Sequence, residues 1–232
     1  MTDLKLALRM ARKTPGLTFV ATSCLAVGIG LTTAAFHIIY GAFLSPLPVA
    51  GGNRIAMVRE YHRAGRYNVS TSPEQFRLWR ENARSFEALG AWQIKNVPIQ
   101  AENAGAFVVR AAYVTPNALE IVAAAPRLGR SITSDDAAPG APPVIVLSDS
   151  VWRSQFAASP GVLGATVRVA GEPHQVIGVM PPRFAFPVRE YAWIPLPAGE
   201  QQALPAGDSL QVFAKVHAGS SLETAQAELA TL

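Results

Sequence analysis

From Leu17 to Leu44 the chain runs for 28 residues without an aspartate, glutamate, lysine or arginine. A helix of that length, rising about 1.5 Å per residue, reaches roughly 42 Å. The hydrocarbon core of a bilayer is about 30 Å thick and needs about 20 residues, which leaves about two turns to tilt or to project. A secretory signal has a shorter apolar region, roughly 7–15 residues, and a small-x-small cleavage site. The nearest such site here, Pro48-Val49-Ala50, has proline where a small residue is wanted. A helix buried in a soluble core would carry a polar stripe or be shorter. Length therefore favours a retained anchor over a cleaved signal or a core helix, and residues 16–45 are read as one transmembrane or stalk helix.

Charge gives the orientation. Lys5, Arg9, Arg12 and Lys13 precede the run against the single acid Asp3, and Ser45 to Asn53 carry no charge. Positive charge stays on the cytoplasmic side, so the N-terminus is expected inside and everything from about Ser45 outside. Leu4, Leu8 and Ala11 share one helical face beside Lys5, Arg9 and Arg12, which makes residues 1–15 a basic amphipathic segment suited to an anionic membrane surface. An ordinary basic flank that only sets topology accounts for the same residues. Pro15-Gly16 is read as the break between this segment and the span. At the other end Pro46 biases Ser45 away from helix and Pro48 stiffens the next step, so Ser45, Pro46 and Pro48 form a fixed elbow.

Net charge is +4 and the isoelectric point is near 9.5, yet the first 15 residues supply +3 of that total. The remainder is nearly balanced and has no basic stripe, so a nucleic-acid partner is not expected. Cys24, the single cysteine, lies in the span and excludes an intrachain disulfide.

The outer part, residues 49–232, reads as α+β. "RIAMVRE" is a strand candidate with Ile55, Met57 and, if the strand runs on, Arg59 on one face. Ser72, Pro73 and Gln75 open a helix with an N-cap, proline at its first position and a capping box, and Phe76, Trp79 and Ala83 share its face. "VPIQAENAGAFVVRAAYV" predicts two strands about a turn. Thr115-Pro116 repeats the cap-then-proline device, and "VIVLS" is a short buried strand before a helix at "SDSVWRSQF". "ATVRVAGEPHQVIGVM" is the clearest hairpin, with its turn at Ala170 to Pro173. "SLQVFAKVHA" alternates, and Ser220 with Glu223 caps a last helix, which meets the chain end without a C-cap and so reads as cut.

Catalytic chemistry is not in evidence. A phosphate-binding loop needs lysine directly after glycine, and Lys5, Lys13, Lys95 and Lys215 follow Leu, Arg, Ile and Ala. There is no His-Glu-x-x-His zinc motif and no Gly-x-Ser-x-Gly elbow. His62, His174 and His217 are spaced too far apart for a metal and are read as solvated; His37 is placed at the membrane interface in preference to a proton relay. Asp135-Asp136 is read as a solvated turn, and Ser148, Asp149 and Ser150 as a helix cap. No enzyme activity, cofactor or metal is expected of this chain.

The run "LALRMARKTPGLTFVATSCLAVGIGLTTAAFHIIYGAFLSPLP" resembles the first helix of MacB-like, FtsX-like ABC transporter permeases, most nearly the duplicated permeases of acidobacterial type. The resemblance continues through "STSPEQFRLWRENARSFEALGAW", "VTPNALEIVAAAPRLGRSITSDD" and "PPVIVLSDSVWRSQFAASPGVLGATVRVAGEPHQVIGVMPPRFAFP" to "SLETAQAELATL". It implies an inner-membrane protein with a periplasmic core domain. That domain would have a porter-like part, about 53–112 and 191–232, and an inserted β-rich part, about 113–190. It further implies mechanotransmission: an ABC ATPase in the cytoplasm would move the stalk helices, with the rest of the permease or a second permease copy, and a periplasmic adaptor, as further partners. No second run of 18 apolar residues is present, and one span does not make the family's permease. The alternative is a stand-alone membrane-anchored binding or scaffold module.

Overall fold

The computed structural model describes residues 13, 15–39, 54–62, 66–68, 71–101, 105–188, 190–196 and 210–232. The chain divides into two compact units, Met1–Pro48 and Val49–Leu232. The first contains helix α1, Pro15–Ile39. Its stretch Thr18–Phe36 is 19 residues long with mean hydropathy 1.8, long and apolar enough to cross a membrane. Phe19, Leu25, Ile29, Leu31 and Phe36 are all exposed, on several sides of the helix, as expected of a helix whose solvent is lipid. Thr22 and Thr32 return their hydroxyls to the carbonyls of Thr18 and Gly28, four residues back. Pro15 and Gly16 are the first two residues of this helix. Proline is well placed there, because an N–H in the first turn has no intrahelical partner.

The second unit is built on one sheet. Its strands, in chain order, are β1 (Ile55–Val58), β4 (Phe86–Ala101), β5 (Gly105–Val114), β6 (Leu128–Gly129), β7 (Val144–Leu147), β8 (Thr166–Val169), β9 (Glu172–Val179), β10 (Ala192–Pro195) and β11 (Gln211–Val216). β2 (Glu60–His62) and β3 (Arg66–Asn68) pair separately. The spatial order is β1-β11-β4-β5-β10-β7-β9-β6, with β8 bridging β4 and β9. Two pairs are parallel, β10 with β5 and β7 with β9; the others are antiparallel.

β4 holds this sheet together. Its 16 residues span about 50 Å at strand rise. One edge pairs with β5 along Trp92–Ala101, while the other takes β11 along Phe86–Trp92 and β8 along Ile99–Ala101. Pro98 stands in the gap between those two partners, and its carbonyl accepts from Ala170 N at 2.9 Å. Its missing N–H points where no ladder bond is made, which is why a proline fits so long a strand. The hairpin β8–β9 turns at Ala170 and Gly171, whose φ angles of 50° and 91° are both positive. This is a two-residue connection, tighter than the four-residue turn expected.

Three apolar clusters fill the two faces. Val97, Ile99, Val109, Ile145, Val151 and Trp152 belong to one; Trp92, Val114, Leu119, Trp193 and Phe213 to the second; Phe76, Trp79, Leu89, Leu210 and Val212 to the third. Helix α2 (Pro73–Asn82) supplies Phe76 and Trp79, and Ser72 Oγ accepts from Gln75 N at 3.1 Å, as its sequence predicts. In β1 Val58 is buried, Ile55 is half-buried against the second cluster, and Met57 is 44% exposed. Thr115 caps nothing. It is buried, its Oγ1 accepts from Ala91 N at 3.1 Å, and the short helix α3 (Ala118–Ile121) starts after Asn117. Helix α4 (Asp149–Phe156) is capped by Ser148, and α5 (Leu222–Leu229) by Ser221, one residue after the expected Ser220.

Candidate functional site

Several charged groups of the outer unit are engaged with its own elements. Asp149, in the first turn of α4, accepts from Arg127 Nη1 at 3.2 Å and from Arg153 Nε at 2.7 Å. Both guanidinium groups lie over the Trp152 ring, at 5.5 and 5.6 Å from its centre, a cation–π arrangement. Ser148 Oγ is 2.9 Å from Ser150 Oγ and accepts from Val151 N at 3.2 Å. These side chains hold a helix start together, as the sequence reading has it.

Asp136 departs from its expected solvated turn. The Thr133–Ala138 segment closes into a 3-10 turn over Ser134–Ala137, and Arg130 grips the Asp136 carboxylate in two bonds of 2.6 and 2.7 Å. The guanidinium, followed by the Thr133 donors, holds this carboxyl below its ordinary pKa. His174 also differs from expectation: it is buried, with Nδ1 3.0 Å from the Glu172 carbonyl. His217 is exposed. His62 and His37 lie where side chains are outside the described set.

At the other end of β10, Glu190 has a fully buried side chain, and its Oε1 accepts from Arg110 Nη2 at 3.0 Å. Its Oε2 has no partner among the described residues. Burial raises this carboxyl, and Arg110 opposes the rise only in part. Sequence reading missed the pair because 80 residues separate its members. Near it, a groove of about 330 Å³ lies between β5 and α4.

Of the residues singled out for topology, Lys13 is exposed; Lys5, Arg9 and Arg12 lie outside the described residues, as do Ser45, Pro46 and Pro48. Among the described residues no group of three or more His, Cys, Asp or Glu could hold a metal ion. The remaining ion pairs brace the sheet. Glu87 on β4 takes Lys215 of β11 at 2.6 Å and Arg54 at 2.9 Å. Glu228 on α5 accepts the N–H groups of Arg84 and Ser85 at 2.7 and 2.8 Å, tying the last helix to the start of β4.

A spanning-length apolar helix followed by a braced α+β body defines a periplasmic-type core domain with its membrane helix. The chain belongs to the family of MacB-like periplasmic core domains, whose pattern it matches over residues 18–232. The family and the α+β architecture are those the sequence resemblance implied. Solved structures agree in fold. A domain assigned to a permease protein from Porphyromonas gingivalis has TM-score 0.59 at 16% identity, covering 75% of this chain and 80% of that one. The periplasmic region of MacB from Actinobacillus actinomycetemcomitans has TM-score 0.58 at 16% identity, covering 75% and 79%. The extracellular domain of the noncanonic ABC-type transporter YknZ from Gram-positive bacteria has TM-score 0.54 at 15% identity, covering 70% and 82%. No curated protein matches the sequence. The family makes this chain an ABC transporter permease domain of periplasmic type, and the apolar helix fits an inner-membrane location.

Proposed function

We propose that the chain is the N-terminal, force-receiving part of an ABC-type efflux permease. The observation that carries this reading is the family match over residues 18–232, which covers the membrane helix and the outer unit together. Lys5, Arg9, Arg12 and Lys13 hold the N-terminus in the cytoplasm, where an ABC ATPase supplies the motion that this chain has no phosphate-binding loop to generate. The rest of the permease or a second permease copy completes the transmembrane part, and a periplasmic adaptor receives the cargo. Motion passes through the helix and the elbow at Ser45, Pro46 and Pro48 into the porter-like part, 53–112 and 191–232, and from there to the inserted part, 113–190. The third apolar cluster supports that division, since its buried residues lie between Val58 and Ala91 and between Leu196 and Ala225, with Tyr113 at the boundary of the inserted part packed against it. β4 gives the two parts a shared rigid strand.

The test is to replace residues 45–48 with a Gly-Ser linker in the assembled transporter with its ATPase. A Gly/Ser chain behaves as a flexible coil, so ATP hydrolysis should continue while export per ATP falls, with insertion and folding unchanged. Unaltered export per ATP would remove the elbow from the mechanism and leave the anchored scaffold as the better reading.

A further inference from the structure

We draw no further inference here: the strongest candidate, the pair of guanidinium groups of Arg127 and Arg153 over the Trp152 ring at the start of helix α4, belongs to the cluster already described, where both are bound to Asp149 and half in water, and nothing in the structure turns their remaining donors towards a ligand.

Discussion

Glu190 has the least favourable setting of any acid among the described residues. Its side chain has no exposure, one oxygen has no partner among the described residues, and its ion-pair partner Arg110 is half in water. Burial is the first cause of its raised pKa. An unfolded glutamate titrates near about 4.3. Between that value and the raised folded value, the folded chain holds a proton that the unfolded chain has released, so stability falls as pH rises through the window. Glu190→Gln keeps the shape and removes the titration. Thermal melts should find the variant close to wild type at the acid end and increasingly more stable than wild type as pH rises towards neutrality. A difference that does not change with pH would show that Arg110 fully compensates the charge. Asp136 has the opposite sign: its lowered pKa contributes stability above the unfolded value and loses it as pH falls through the folded one. Neither environment was legible in sequence. Asp135-Asp136 beside proline and glycine looks like any solvated turn, and only the 3-10 turn returns Asp136 to Arg130.

Helices and hairpins were more legible, because the forces that start and stop them act over a few residues. Ser72 with Pro73 and Gln75 reads as a capped helix start and Ser148 as a helix cap, and both serve so. Thr115-Pro116 carries the same signal and yet is used otherwise: its threonine is drawn into the β4–β5 connection, where Ala91 N needs an acceptor. Ser220 and Ser221 offer equivalent caps one residue apart, and Ser221 is the one that reaches Thr224 N, at 3.2 Å. Helix α4 makes a paired test. Ser148→Ala removes the oxygen bonded to Val151 N and should cost about 1 kcal/mol. At the other end Ala157 closes the helix at φ 50°, in the left-handed region, where glycine relieves the crowding of Cβ. Ala157→Gly should therefore stabilise by up to about 1 kcal/mol. Urea unfolding of both variants measures the two signs; destabilisation by the glycine would mean that its added unfolded-state freedom outweighs the relief.

For the whole molecule the question is which side of the membrane holds the sheet. With the N-terminus inside, protease added to spheroplasts should digest residues 49–232 and leave an N-terminal tag intact, while alkaline carbonate should not release the protein from the membrane. Loss of the tag first, or release by carbonate, would reverse or remove the span. The sheet itself is one body from β1 to β6 through β4, and its bracing by Glu87 and Glu228 ties helix and strand ends to that long strand.

The sequence by itself determined the spanning-length apolar run, two of the helix caps, the β4–β5 and β8–β9 hairpins, and the family. Each depends on composition or on residues within about four positions of one another, where steric and hydrogen-bonding preferences act before any fold exists. The tertiary structure alone decided the strand order, the parallel seating of β10 on β5 and the Arg110–Glu190 pair. Those features depend on which apolar faces bury together across long stretches of chain. That choice is made by the packing free energy of the whole body, to which no short stretch of sequence carries the answer.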